Sequence, residues 1–179
     1  MSLLLFDPPK PPEEPLFSLN HPCDPRGKSR PKAGRTGRVC RSCGTRTGSL
    51  VMRNNPADLV LEAELERAAR EAMFRQGLHR LTVPLFCLVV ARFPRVQDMP
   101  DRAFSGRQWR AKTPDFDNVG KLVTDALNGV VYGDDRQIVD GRIQTVFSAT
   151  WEKPGIEVYL WEATPFPPEL ERAPQLEGA

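Results

Sequence analysis

Leu81-Thr82-Val83-Pro84-Leu85-Phe86-Cys87-Leu88-Val89-Val90-Ala91-Arg92-Phe93 is the stretch whose reading decides the fold. Val83, Leu85, Cys87 and Val89 alternate with Phe86, Leu88 and Val90, and both sets are apolar, which predicts a strand covered on two faces at the centre of a sheet. Downstream, Val119, Leu122, Val123, Ala126 and Leu127 form one helical stripe that Asn128-Gly129 stops. Ile143, Thr145, Phe147, Ala149 and Trp151 then alternate with more polar neighbours, as do Ile156, Val158 and Leu160. With Glu152 to Gly155 between them, the two runs read as a β-hairpin. Upstream, Asn55 offers an N-cap and Pro56 a first helical residue for the run Leu61, Leu65, Ala68 and Ala72, which Gly77 ends. Leu16 to Asn20 reads as a first strand. The order strand, helix, strand, helix, strand, strand predicts a single α/β domain whose mixed sheet is packed by two main helices.

At 179 residues the chain has the size of one ordinary domain, expected at 15–162. Residues 1–14 and 163–179 are proline-rich and are expected to be disordered tails. No apolar run approaches the ~20 residues of a membrane span, and no basic start leads into an apolar stretch with a cleavage site. A cytoplasmic protein, at the nucleoid when bound to DNA, is therefore expected.

A formal charge of +2 hides a lopsided distribution. Residues 1–25 carry net −3, residues 26–53 net +9 and residues 54–179 net −4. The middle block, Arg26, Lys28, Arg30, Lys32, Arg35, Arg38, Arg41, Arg46 and Arg53, contains no acid and is interleaved with Gly, Ser and Thr. Like charges at that density repel unless a polyanion neutralises them, so nucleic acid is the natural partner. The alternative is a solvated basic loop. Arg107, Arg110 and Lys112 add a second basic group around Trp109, which is either a platform for an opened base or a packed aromatic.

Thr113-Pro114-Asp115-Phe116-Asp117-Asn118 leads directly into the second helix. Pro114 keeps Thr113 out of the helical region, so Asp115 and Asp117 are expected on the same side of an extended lead-in. Two carboxylates on one side repel unless a cation lies between them. Oxygen donors without His or Cys suit magnesium, with manganese as substitute. Lys121 lies about one turn after Asp117 and reaches toward the same place. The structural alternatives are Asp117 as helix N-cap and Lys121 as partner of Asp117 or Asp125 in an exposed ion pair. A second acidic pair, Asp134-Asp135, follows the helix.

These elements resemble the signature of the RusA family of Holliday junction resolvases. That family's pattern is P-D-x-D-N-x-x-K, then a helix ending in D-A-L-N/T, then D-D-x-Q-I/V. Here Pro114-Asp115-Phe116-Asp117-Asn118-Val119-Gly120-Lys121, Asp125-Ala126-Leu127-Asn128 and Asp134-Asp135-Arg136-Gln137-Ile138 stand at the matching places. Gly27-Lys28-Ser29-Arg30-Pro31-Lys32 is similar, more loosely, to the family's basic first-hairpin segment. The resemblance implies a RusA-like fold and a crossover junction endodeoxyribonuclease working as a homodimer in recombination and repair. It implies that Asp115, Asp117 and Asp135 are essential carboxylates holding magnesium, with Asp134 as a further candidate, and that Lys121 is the essential lysine. Arg26, Lys28, Arg30, Lys32, Arg35, Arg38, Arg107, Arg110 and Lys112 are the expected DNA-binding residues. Gly37-Arg38-Val39-Cys40-Arg41-Ser42-Cys43-Gly44, an insertion within the basic, Cys-containing segment 26–53, departs from the family pattern.

Cys40-x-x-Cys43 is half of a zinc-ribbon pattern, which His21 and Cys23 would complete as a structural zinc site; reduced surface thiols are the alternative. Cys87, inside the apolar strand, reads as a core thiol. Two other functional readings stand beside the resolvase: a non-catalytic, basic, zinc-containing nucleic-acid-binding protein, and a flap or fork nuclease of the same chemistry. Cleavage of a synthetic four-way junction on adding magnesium separates the enzymes from the binding module.

Overall fold

The computed structural model describes residues 14–35, 41–44, 50–53, 55–97, 101 and 103–163, with backbone only at 33–35 and 50–53. The expected tails lie outside these residues apart from Glu14 and Ala163.

Strand β1 (Phe17–Pro22) opens the chain, and β2 (Lys32–Arg35) pairs with β3 (Leu50–Arg53) as a separate antiparallel ribbon in the basic block. Helix α1 (Pro56–Arg75) follows. Asn55 caps it by accepting from the Ala57 N–H at 3.1 Å, and Gly77 closes it with a positive φ of 64°. Then come β4 (Leu85–Phe93), β5 (Gln108–Trp109), α2 (Phe116–Leu127), a 3-10 turn over Asp135–Gln137, β6 (Ile138–Phe147) and β7 (Gly155–Glu162).

The five-stranded sheet runs in the order β1-β7-β4-β6-β5. The expected central strand is indeed central: β4 pairs parallel with β6 and antiparallel with β7. The expected hairpin between β6 and β7 does not form, because β4 lies between them. Alternation identifies each run as a half-buried strand, but pairing depends on which neighbour covers more apolar surface, and β4 offers apolar edges to both. β4 is covered on both faces, as expected, with Val90 on the second face only 4% exposed, but the two covers differ. Leu85, Cys87 and Val89 join Ile156, Val158 and Leu160 in a core sealed by Leu61, Leu65 and Ala69 of α1 and Leu122, Val123 and Leu127 of α2. Both helices therefore lie on that face. On the other, Phe86, Trp161 and Tyr159 pack as an aromatic row, with ring centroids 5.4 and 5.9 Å apart, and shield β4 in place of helices.

Two polar clusters lock the ends of this frame. On β4, Arg92 donates to Glu152 at 3.0 Å and to Asn20 of β1 at 2.6 Å. Arg107 donates to Glu152 and, at 2.7 and 3.1 Å, to Glu157 of β7. This quartet tethers the segment before β5 to the sheet. At the opposite end, the Gln137 amide donates to the carbonyls of Leu81 and Val83 and accepts from the N–H groups of Gly133 and Asp134.

Candidate active site

Asp115, Phe116 and Asp117 stand at the start of α2, all three exposed. Asp115, not Asp117, occupies the N-cap position, with extended backbone (φ −66°, ψ 149°), and its side chain makes no capping hydrogen bond. Asp117 lies in the first helical turn. The positive end of the helix dipole stabilises both carboxylates there, and the first-turn N–H groups leave the same end attractive to anions. Both acids line a groove of about 710 Å³ together with Arg110, Lys112, Pro114 and Thr145. Lys121 is exposed one turn after Asp117. Its expected alternative partner, Asp125, is bound by Lys28 instead.

The lead-in is held from below. The guanidinium of Arg110 lies 3.8 Å from the centroid of the Phe93 ring and donates to the carbonyls of Lys112 (2.7 Å) and Thr113. Burial lowers its pKa from the usual guanidinium value. Arg110 N–H donates to the Thr145 carbonyl at 3.0 Å, and the Thr145 hydroxyl donates back to the Arg110 carbonyl at 2.9 Å, fastening the groove floor to β6.

The basic segment reaches the same helix end. A Cβ on Gly27 would lie 2.6 Å from Pro114 Cβ and 2.9 Å from Asn118 Cβ, so only glycine allows the backbone this close to the acidic loop. Lys28 then donates to the Asn118 carbonyl through its backbone, while its ammonium bridges Asp125 of α2 and Glu62 of α1, the latter at 3.0 Å. Ser29 N–H is accepted by Asp58 at 2.7 Å, and Asn55 donates to the Ser29 hydroxyl at 3.2 Å.

The other expected phosphate ligands divide. Lys28 and Arg107 are neutralised by internal carboxylates, and Arg26 is paired with Asp24 at 3.6 Å. Arg110 braces the loop. Arg30, Lys32 and Lys112 are exposed. Arg35 belongs to β2, while Arg38 lies outside the described residues.

Asp134 and Asp135 separate cleanly into two roles. Asp134 caps the 3-10 turn, accepting from the Arg136 N–H at 3.0 Å, and Gln137 closes the reciprocal half of the capping box. The Arg136 N–H and charge hold its carboxyl below the usual carboxylate range. Asp135, next to it, is exposed. It does not stand beside Asp115 and Asp117. They begin α2 and Asp135 comes after its end, about 18 Å of helix at 1.5 Å for each of its 12 residues. Among the described residues, no three His, Cys, Asp or Glu side chains gather closely enough to hold a metal ion. One chain thus brings together two of the three expected carboxylates.

Zinc finds no site among the described residues. Cys40 lies outside them, and Cys43 is exposed in the 41–43 turn. His21 and Cys23 sit two residues apart near α1. Burial, reinforced by Glu64 and Asp24, pushes the Cys23 thiol up to about 11. Burial lowers the His21 pKa from its usual value. Cys87 is the core thiol expected, raised to about 12 by burial.

The described residues thus form an α/β domain with an exposed acidic pair at a helix N-terminus, beside a basic segment. Residues 22–160 match the family described as Endodeoxyribonuclease RusA, and the chain belongs to that family, whose members are metal-dependent hydrolases of DNA. It is also similar to "Uncharacterized protein YqaN" of Bacillus subtilis (strain 168), 43% identical over 51 residues, 28% of this chain. That stretch covers 34% of the relative's own length. No helix among the described residues is long and apolar enough to cross a membrane.

Proposed function

We propose that this chain is a magnesium-dependent endodeoxyribonuclease that resolves four-way DNA junctions in recombination and repair, with manganese as a substitute ion. It acts as a homodimer in which Asp115, Asp117 and Lys121 of one copy meet the partner's Asp135. The observation carrying this reading is the exposed acidic pair at the N-terminus of α2, on which the basic segment converges through Gly27. The separation of Asp135 from that pair within one chain supports the need for a second copy. A two-fold dimer also presents equivalent sites to the two opposed strands of a junction.

Asp115 and Asp117 supply hard oxygen donors without nitrogen or sulfur, a set that fits magnesium, and Asp135 completes it. The bound cation supplies charge neutralisation at the phosphate and a more acidic water. The residues of the chain orient the strand. First-turn N–H groups of α2 receive phosphate oxygens. Lys121 neutralises charge developing on the phosphoryl group. Arg30, Lys32 and Lys112, with Arg35 and Arg38 further along the basic segment, hold flanking phosphates. Each neutralised phosphate contributes about −0.9 to the log-log salt slope, so affinity falls steeply with salt.

The test uses labelled four-way, flap and linear duplex DNA with and without magnesium. Asp117→Asn and Asp135→Asn are each expected to bind the junction without cutting it. Mixed together, they are expected to recover nicking, because a mixed dimer rebuilds one intact site only if Asp135 acts across the subunit boundary. Failure of the mixture despite subunit exchange overturns the shared site. Absence of magnesium-dependent cutting by the wild type leaves the non-catalytic binding module, which the two-carboxylate grouping in one chain favours. Preference for flaps over junctions makes the chain a flap or fork nuclease.

A further inference from the structure

Phe116 stands between the two acids and is 63% exposed. It precedes Val119 by three residues and Val123 by seven, so it continues the apolar stripe by which α2 is buried. The stripe runs one turn past the edge of the core. Instead of closing against the sheet, the ring lines the groove with Asp115, Asp117 and Lys112. What sets this ring apart from other exposed apolar side chains is its place in the groove between the two acids, where it offers an apolar face to a ligand. Carboxylates on both sides and a cationic rim exclude an aliphatic ligand, whereas a nucleobase brings an apolar face and an attached phosphate together.

We infer that Phe116 is the surface on which a nucleobase beside the scissile phosphate stacks, and that this contact selects branched over continuous DNA. The inference rests on the nuclease reading above and deepens it. Within a duplex, each base is already stacked on both sides, and lifting one out is costly; at a branch point stacking is interrupted and the base is released easily. A ring fixed on the first turn of α2 captures that base and holds its phosphate against the acidic pair. Stacking on an aromatic face is indifferent to base identity, so Phe116 reads DNA shape and leaves sequence preference to other groups.

The experiment is a double-mutant cycle between protein and DNA. Junctions carrying a single abasic residue at each of three positions on either side of the mapped cut are cleaved by wild type, Phe116→Ala, Phe116→Trp and Phe116→Leu. Phe116→Ala is expected to lose roughly 5- to 150-fold in kcat/KM on the intact junction, the range of one lost base stack. At one abasic position the wild type is expected to lose as much, and Phe116→Ala to lose nothing further. Phe116→Trp retains activity and Phe116→Leu does not. Losses that multiply at every position, or a leucine variant as active as tryptophan, overturn the proposal. So does a Phe116→Ala protein that has become monomeric by light scattering, since the ring then belongs to an interface between copies. The same cycle read as Kd in an Asp117→Asn background remains informative if the wild type does not cut DNA, which separates failure of this contact from failure of the nuclease reading.

Discussion

The backbone N–H of Lys28 donates to the carbonyl of Asn118 across 2.9 Å, joining the basic segment to the first turn of α2 two residues after Phe116. The same lysine sends its ammonium between Asp125 of α2 and Glu62 of α1. Desolvation opposes the Lys28 charge, but the two carboxylates outweigh it and raise the pKa. One residue thus fixes both helices and the path of the chain beside the acids.

Lys28→Gln is therefore expected to act on stability more than on DNA affinity. The side chains of Lys28, Glu62 and Asp125 are 24%, 20% and 29% exposed, between a surface pair and a buried one. The loss is expected at about 1–3 kcal/mol, since two carboxylates are left facing each other. Urea unfolding measures it. The salt slope of junction binding should stay as in the wild type; a slope shallower by about 0.9 with unchanged stability would mean that Lys28 holds a phosphate.

The two neighbouring acids after α2 are expected to respond differently. Asp134→Ala removes the cap of the 3-10 turn and should cost about 0.5–2 kcal/mol, while Asp134→Ser retains most of it. Asp135→Asn should leave the unfolding midpoint in place and abolish magnesium-dependent cleavage. Thermal melts and junction cleavage on the three variants decide the matter, and an inactive but fully stable Asp134→Ser would reverse the assignment.

How far these roles were legible in sequence depends on the range of the interaction. Asn55, Pro56 and Gly77 signal a helix through contacts a few residues apart, and the structure places α1 where they predict. The centrality of β4 was legible because its length of apolar sequence has few other solutions. The separation of β6 from β7 was not, since strand order is decided between segments far apart in the chain. At the site, Asp115, Asp117 and Lys121 were visible as a local pattern. The clamp of Lys28 on Asp125 spans 97 residues, and the pairing of Arg107 with Glu157 spans 50; both look like free charges in a linear reading. Gln137 was visible only as part of a motif. Its four hydrogen bonds to the Leu81–Val83 and Gly133–Asp134 backbones became apparent in three dimensions.

The Arg92–Glu152–Arg107–Glu157 quartet predicts a pH dependence. Burial alone would raise the Glu152 carboxyl, but hydrogen bonds from Arg107 and Arg92, and their charges, hold it below its usual 4.5. The folded chain therefore binds fewer protons there than the unfolded chain, and stability rises with pH across that window. The contribution is fully present above about 4.5 and is lost as pH falls through the lowered value. Urea titrations at several pH values should show a flatter acid limb for Glu152→Gln than for the wild type. Equal slopes would show that the carboxyl titrates alike in the folded and unfolded chain.

Gly120 sets the distance between α2 and the sheet on which the groove is built. A Cβ there would overlap Ile143 Cδ1 and lie 3.0 Å from its Cγ1. Alanine is the better helix former by about 1 kcal/mol, so propensity alone predicts stabilisation. Overpacking of a fitted contact costs about 1–3 kcal/mol and is expected to win, because Ile143 is held in a strand that β4 pairs along its length. Gly120→Ala should melt earlier and, by pushing the first turn of α2 away from Thr145, cleave junctions more slowly. Adding Ile143→Val removes the colliding Cδ1 and should restore both properties. Calorimetry and cleavage rates on the single and double variants check this; a single variant more stable than wild type would show that α2 has room to settle without disturbing the sheet.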